Sequence, residues 1–342
     1  MKKSRITIKD IARELNISAS TVSRALQDHP ALKKETKQAV KSLAEKWNYR
    51  PNSMALNLLR QTSSTIAVIV PEITSHFFSA AITGMQDVFV STEYNIMICT
   101  SNESYEEEAL IIENLSKVQI AGVLVAPSST TREFDHFRKL QKNDIPLVIF
   151  DRDCEGLEAH KVLVDDYSGA FEAVEYLINS GCKRIAHITG AFDMSTNNHR
   201  LRGYIDALKK NNLEVVEDYI INANGFTHED GIEPTESLLK SKNIPDAIFA
   251  VNDRLAVSAM RTAKKLNFQI PGDISIIGFD DEPHSSYFTP ALSSVWQPVY
   301  SMGMLSARIL LHEIEKEEDD KSGFRQEVFK TELVIRGTSK KI

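Results

Sequence analysis

Charged and amide side chains stand directly after three apolar runs of this chain, and an arginine opens an amphipathic stretch between two of them; these residues are Asp151-Arg152, Arg200, Asn252-Asp253 and Asp280-Asp281. Carboxylate, amide and guanidinium groups each offer several hydrogen-bond donors or acceptors. Where such groups converge on a cleft, they can bracket the neighbouring hydroxyls of a small polar molecule. The pattern therefore predicts a small-molecule binding site.

Aromatic side chains could complete this site. The faces of Phe77, Phe78 and Phe226 can stack on a sugar ring or a base. For two of the carboxylates, Asp253 and Asp281, capping of a following helix is an alternative role.

A catalytic function is not indicated. His284 stands near paired acids, but we find no Gly-x-Ser-x-Gly elbow, no phosphate-binding loop and no histidine-rich metal spacing. The three cysteines (Cys99, Cys154, Cys182) are far apart in the sequence. We therefore expect no enzyme, no metal and no cofactor.

The hydropathy of the chain predicts a cytoplasmic protein. No run of about 18 apolar residues is present, and residues 1–10 are charged rather than carrying the apolar core of a secretory signal. A secreted sugar-capture module is the rival class. It would need a signal peptide and would lack the N-terminal helices described below.

The elements that must position the polar residues alternate from Thr65 onward. Ten apolar strands are predicted, at 65–70, 95–100, 121–126, 146–150, 161–164, 184–189, 218–222, 246–251, 274–279 and 292–296. Amphipathic helices lie between them, for example at 77–91, 104–117, 168–180, 199–211, 229–241 and 254–267. Such alternation is typical of parallel sheets covered on both faces. Ten strands exceed one sheet at this length, so we expect two lobes with a cleft at the strand ends.

Charge separates the first 62 residues from the rest. The whole chain has a net charge of −7, but residues 1–62 carry +8 and the remainder −15. A basic segment on an acidic body predicts that the first segment docks on phosphates. A solvated basic surface without a partner is the alternative.

Three short helices are expected in this basic segment. Thr7 can cap the first helix, with Asp10 three residues later. The second begins near Ser18 or Ser20, and the third covers about 34–47. A shared small core is predicted from Ile8, Ile11, Leu15, Val22, Leu26, Val40, Leu43 and Tyr49.

The second helix has a slim outward face. Val22, Ala25 and Leu26 point inward, whereas the outward positions are Ala19, Ser20, Ser23 and Arg24. Small residues and one arginine suit a helix in the DNA major groove, because the guanidinium fork matches guanine. An ordinary surface helix is the alternative.

Three segments, 7–12, 18–26 and 48–55, together resemble the headpiece of the lactose-repressor/galactose-repressor (LacI–GalR) family. The resemblance implies that Ala19, Ser20 and Arg24 face base edges and that Thr7, Ser23 and Asn52 touch phosphates. The DNA-binding set that it implies is Thr7, Ala19, Ser20, Thr21, Ser23, Arg24, Asn52, Ala55 and Leu58. Ala19 and Ser20 offer only a methyl group or a short hydrogen bond, so the operator sequence is not readable from them.

A hinge is expected at 51–64, between a headpiece at 1–50 and a sensor at 65–342. Pro51 can start a two-turn helix, which is marginal alone in water. The resemblance implies that this helix pairs with its copy in a second subunit and that Leu58 wedges between base pairs in the minor groove. Packing of Leu58 onto the sensor is the alternative.

The resemblance also implies a periplasmic-binding-protein-like (type I) sensor of two doubly wound lobes. We expect an N-lobe at about 65–161 and 293–320 and a C-lobe at about 162–292 and 321–342, with crossings near 161–164, 292–296 and 317–323. Effector contacts are expected from Phe77, Phe78, Asp151, Arg152, Arg200, Phe226, Asn252 and Asp280.

The function predicted from these features is a homodimeric repressor of operator DNA. Its effector is expected to be sugar-like, with a sugar-binding module or control by a partner protein as alternatives. The residues after Leu333 leave no room for a tetramerising heptad helix. Effector identity, and whether it induces or co-represses, are not readable from the sequence.

Overall fold

The computed structural model describes residues 6–26, 28–49, 63–190, 194–316 and 323–342. The chain divides into two compact units, with the boundary between Ser63 and Ser64. The predicted hinge residues 51–62, including Asn52, Ala55 and Leu58, lie outside the described residues. None of the described helices is both long enough and apolar enough to cross a membrane.

The N-terminal unit contains three helices, α1 (Ile8–Glu14), α2 (Ala19–Leu26) and α3 (Lys34–Lys46). Thr7 caps α1 as predicted: its backbone N–H and its hydroxyl donate to the Asp10 carboxylate over 2.9 and 2.6 Å. The fully buried Ile11, Val22 and Val40 form the centre of one small core. The other five predicted core residues pack around it, partly buried.

The N-lobe of the second unit is built on a six-stranded sheet. Its strands are β1 (Thr65–Val70), β2 (Asn95–Thr100), β3 (Gly122–Val125), β4 (Leu147–Phe150), β5 (His160–Val164) and β11 (Gln326–Phe329). The order is β11-β5-β4-β3-β1-β2, and every neighbouring pair is parallel. Its helices are α4 (His76–Phe89), α5 (Tyr105–Lys117), α6 (Asp135–Lys142) and α11 (Val299–Glu315).

The C-lobe repeats this plan. Its strands are β6 (Ile185–Thr189), β7 (Ile220–Asn222), β8 (Ala247–Ala250), β9 (Ser275–Asp280), β10 (Ser293–Trp296) and β12 (Glu332–Val334). They follow the order β12-β10-β9-β8-β6-β7, with β12 antiparallel to β10 and the other neighbours parallel. Its helices are α7 (Asp166–Asn179), α8 (Ser195–Lys210), α9 (Ile232–Leu239) and α10 (Asp253–Lys265), with 3-10 turns at Glu217–Tyr219 and Pro283–Ser286.

The ten predicted strands are all present, but the lobe boundaries differ from the predicted ones at three strands. β5 stays in the N-lobe sheet through Val164, and β10 stays in the C-lobe sheet through Trp296, because each completes its pairing before the chain crosses. The third crossing follows Phe329 rather than lying at 317–323, since β11 pairs with β5. β11 and β12 are not predicted from the hydrophobic pattern of the sequence, because both are short, half-exposed edge strands.

Candidate ligand cleft and nucleic-acid interface

The outward face of α2 is a candidate nucleic-acid surface. Arg24 and Ser20 are exposed on it, and no carboxylate among the described residues pairs with Arg24. Ser18 caps the amino end of α2, because its Oγ accepts a hydrogen bond from the Thr21 N–H at 3.1 Å. An unpaired guanidinium on a narrow exposed helix remains available for a base edge or a phosphate.

Three of the predicted DNA contacts are less exposed than the sequence pattern suggests. Ala19 was expected to face outward, but it is half-buried and packs partly against the headpiece core, which limits the reach of its methyl group. Thr21 and Ser23 are also half-buried. The Thr7 hydroxyl proton is already donated to Asp10, and these hydrogen bonds, from the hydroxyl first and the backbone second, hold the pKa of Asp10 below its usual value.

The second candidate site is a cleft between the two lobes of the sensor. All eight residues expected to contact an effector line one cavity there, enclosing about 580 Å³ with the open solvent at its mouth included. Strand ends explain the convergence, because Asp151 follows β4, Asn252 lies just beyond β8, and Asp280 ends β9.

Arg200 of α8 lies deep in this cleft. Its Nε and Nη2 both approach Asp166 Oδ1 at 2.7 Å, and its Nη1 donates to the Val251 carbonyl at 2.6 Å. The guanidinium also lies over the Phe279 ring, 3.7 Å from its centroid, with Asp280 at 3.9 Å. Arg200 therefore joins α7, α8 and two strand ends.

Arg152 occupies the opposite wall of the cleft. Its two terminal nitrogens donate to the Glu103 carboxylate over 2.7 and 2.8 Å, and one of them also reaches the Pro127 carbonyl at 2.7 Å. Burial would raise the pKa of Glu103, but the Arg152 guanidinium outweighs it, and that pKa lies below its usual value. The pair fixes Arg152 before any ligand arrives.

Asp151 is a buried acid of the cleft and Asp280 a half-buried one, and both have strained backbones, at φ 69° and 111°. Burial raises the pKa of Asp151 to about 6, against the attraction of Arg152. Burial also raises the pKa of Asp280 well above its usual value, although Arg200 favours its charged form. Asp280 accepts a hydrogen bond from Gln297 Nε2 at 2.8 Å.

The aromatic wall is positioned by backbone contacts. Asn252 caps α10 through the Leu255 N–H (2.9 Å), and its Nδ2 donates to the Phe226 carbonyl (3.2 Å). Phe226 packs directly on Gly190, where a Cβ would lie 2.1 Å from its ring. On the facing lobe, Phe77 and Phe78 form an edge-to-face pair with ring centroids 5.3 Å apart.

Asp253 and Asp281 have structural partners. Asp253 is buried and accepts from Ser285, Ser294 and the Glu282 N–H, which ties α10 to the segment after β9. Asp281 accepts hydrogen bonds from both terminal nitrogens of the Arg336 guanidinium, Nη1 and Nη2. Neither residue lines the cleft cavity.

The structure also places residues in the cleft that the sequence pattern does not predict; among them are Glu72, Ser75, Glu103, Thr196, Arg254 and Glu282. Glu72 lies just beyond β1 and Arg254 is the second residue of α10, shortly after β8, so the strand-end rule could have found both. Arg254 Nη1 donates to Glu72 Oε1 at 2.8 Å, which joins the two lobes across the cleft. The Asp153 N–H donates to Ser195 Oγ at 2.8 Å, a second bond between the lobes.

We expect the Glu72–Arg254 pair to stabilise the folded sensor modestly. Because Glu72 is 37% exposed and Arg254 16% exposed, the coupling should be about 0.2–1 kcal/mol. Urea unfolding of wild type, Glu72→Gln, Arg254→Gln and the double variant measures it as a double-mutant cycle. Strictly additive single effects would contradict the interaction.

A pH dependence follows from Asp151. Its folded pKa of about 6 lies above the ordinary aspartate value of 3.8, so the folded state binds more protons than the unfolded state between these values. Its contribution to the free energy of unfolding therefore falls as pH rises from 3.8 to about 6. Asp151→Asn should be more stable relative to wild type at pH 7 than near pH 4, measured by urea unfolding at both. A variant effect independent of pH would contradict this.

Among the described residues, no group of three or more His, Cys, Asp or Glu side chains is arranged to hold a metal ion. The cleft is instead an assembly of hydrogen-bonding groups beside aromatic rings. Such an assembly can bind a polar ligand that reaches both lobes.

Comparison with known proteins finds family matches for both parts of the chain. Residues 7–52 match the family model of bacterial regulatory proteins, lacI family, and residues 174–339 match the periplasmic binding protein-like domain. Catabolite control protein A of Priestia megaterium is 33% identical over 318 residues, covering 93% of this chain and 95% of that protein. The transcriptional repressor CytR of Escherichia coli K12 is 33% identical, covering 98% of this chain and 96% of its own.

A solved structure shares the fold over the same length. The complex of the transcriptional regulator CelR with cellobiose superimposes with a TM-score of 0.74 at 25% identity, covering 98% of this chain and 100% of that one. By its sequence and its fold, the chain belongs to the lacI family of bacterial regulatory proteins and is a DNA-binding transcriptional regulator.

Proposed function

We propose that the protein is a homodimeric repressor that binds a pseudo-palindromic operator and changes its operator affinity when a sugar-like molecule enters the cleft. The observation that carries this proposal is the convergence of eight residues from both lobes on one cavity. No catalytic step is part of the proposed function. We also propose that the protein works in the cytoplasm, where operator DNA is found.

The chemistry of the cleft supports a carbohydrate. Carboxylates accept hydrogen bonds from hydroxyls, guanidinium groups donate to them, and aromatic faces suit the C–H face of a sugar ring. Asp280 and Asp151 offer the acceptors, and Arg200 of the C-lobe helix α8 lies 3.9 Å from Asp280. The relative CelR was solved with cellobiose, which is a sugar of this type.

A ligand in this cleft would act on DNA binding by shifting the lobes. It would touch the N-lobe through Phe78 and Asp151 and the C-lobe through Arg200 and Asn252. Ligands shift an equilibrium only by their differential affinity for its two states, typically ~1–3 kcal/mol. The resemblance implies that the hinge transmits this change to the headpiece and that Leu58 wedges the operator open.

A second copy of the chain is proposed because pseudo-palindromic operators require two headpieces. The edge strand β2 leaves Met97 and Ile98 exposed, at 37% and 43%, and Leu110 of α5 is 55% exposed. Apolar side chains on an unpaired sheet edge suit coverage by another subunit.

The test begins with selection of operators from random-sequence duplexes by the full-length protein, followed by sedimentation of the complex. We expect two chains per selected duplex and inverted half-sites. A monomer bound to a single half-site would contradict the dimer.

Operator titrations across sugars and nucleosides then identify the effector. Operator DNA must change the affinity for the effector by the same factor by which the effector changes the affinity for DNA. If no small molecule alters operator affinity, control by a partner protein becomes the better proposal.

A further inference from the structure

The cationic groups of the cleft are already committed to carboxylates of the protein. Arg152 forms a two-point pair with Glu103, and Arg200 holds Asp166 through two nitrogens. Arg254 Nη1 donates to Glu72, and its Nε lies 3.8 Å from Glu282. An anionic ligand would therefore have to compete with an existing carboxylate for each guanidinium.

The balance of charge in the cavity is negative. Among the described lining residues, three guanidinium groups face five carboxylates, those of Glu72, Glu103, Asp151, Asp280 and Glu282. The carboxylate of Asp166 lies directly behind Arg200.

The carboxylates of the cleft, by contrast, still have acceptor positions for the hydrogen-bond donors of a ligand. A carboxylate accepts up to about four hydrogen bonds. In the described parts of the chain, the hydrogen bond that reaches the Asp280 side chain comes from Gln297. The remaining acceptor positions of that carboxylate suit hydroxyl protons.

We infer that the cleft takes an uncharged, hydroxyl-rich ligand and discriminates against its phosphorylated or carboxylated counterparts. The inference rests on the proposed function and makes it narrower, because it excludes sugar phosphates and uronic acids. It also assigns the discrimination to the excess carboxylates, with Glu282, which lines the cavity, as a specificity-determining residue.

The amino ends of helices are the places where an anion could still bind. Two of the helices at the cleft are less available: the amino end of α10 carries Asp253, and Ser75 already accepts from the Phe77 N–H of α4. α8 has no acidic residue in its first turn and no side-chain cap, so among the described helices at the cleft its amino end is the most available to an anion. It offers only partial charges, against the excess carboxylates of the cavity.

The experiment uses matched ligand pairs and the full-length protein. D-ribose is compared with ribose 5-phosphate, D-glucose with glucose 6-phosphate, and D-galactose with galacturonate, with cellobiose as a further neutral probe. Melting temperatures identify binders, and calorimetry gives their affinities. We expect at least one neutral sugar to bind and its charged counterpart to bind at least roughly tenfold more weakly, because like charges are brought together.

A charge variant tests the assigned cause. Glu282→Gln keeps the backbone N–H that donates to Asp253 and removes one carboxylate from the cavity lining. It should reduce the ratio of neutral to charged affinity roughly several-fold. Glu214→Gln, an exposed change in the same lobe, is the matched control and should leave the ratio unchanged. An unchanged ratio in Glu282→Gln would overturn the assignment to charge.

The outcomes separate this inference from the proposed function. If only phosphorylated or carboxylated sugars bind and alter operator affinity, the inference fails while the regulator function stands. If no sugar of either kind binds, the inference and the small-molecule part of the proposed function both fail. Binding of neutral sugars with discrimination against their charged partners supports both.

Discussion

Replacing Arg200 with alanine is expected to lower the free energy of unfolding of the sensor by about 3–5 kcal/mol, because it leaves a buried carboxylate without its partner. Asp166 is 3% exposed. Two nitrogens of Arg200, Nε and Nη2, approach one carboxylate oxygen of Asp166, Oδ1. The substitution also removes the bond to the Val251 carbonyl. Urea unfolding followed by circular dichroism measures the change.

Arg202→Ala is the matched control for this prediction. Arg202 belongs to the same helix, is 72% exposed and lies 3.7 Å from Asp206, so its loss should change stability by no more than about 0.5 kcal/mol. Equal effects of the two substitutions would refute the structural role of Arg200.

The ligand role of Arg200 needs a variant that folds. Arg200→Lys keeps a positive charge for Asp166 but has one ammonium group in place of the guanidinium fork. We expect it to weaken effector affinity and the operator response while leaving operator affinity without effector nearly unchanged. Full effector affinity in this variant would show that the cleft assignment is wrong.

Arg24→Ala is expected to weaken binding to the selected operator by about 1–3 kcal/mol and to relax preference at one base pair. Arg24 is exposed on α2, and in the described part of the headpiece no acid competes for its guanidinium. Fluorescence anisotropy on operator and random duplexes, at matched salt, gives the specific and non-specific affinities.

Arg13→Ala is the control variant for the loss of one positive charge from the headpiece. The Arg13 side chain is 81% exposed on α1 and lies 3.5 Å from Asp10, so this variant removes one charge from the same headpiece. It should weaken specific and random binding alike, and only slightly. If Arg24→Ala also reduced both affinities equally, Arg24 would be a phosphate contact rather than a base reader.

Features that depend on local pattern could be predicted from the amino-acid sequence alone. The helical spacing of Ile11, Val22 and Val40 predicts the headpiece core, and those residues are fully buried. Apolar runs ending in Asp151, Asn252 or Asp280 predict strands whose polar ends share one edge, because parallel strands bring their carboxyl ends together. These residues line a single cavity.

The pairing of charged groups and the points where the chain crosses between lobes could not be predicted from the sequence, because both depend on tertiary contacts. Glu103 and Arg152 are 49 residues apart in sequence, and Glu72 and Arg254 are 182 apart, so no local spacing reveals either pair. β11 carries too few apolar residues to be predicted, yet its pairing with β5 moves the last crossing beyond Phe329. Such contacts depend on the packing of distant segments, whereas hydrophobic periodicity reports only how each segment faces its own core.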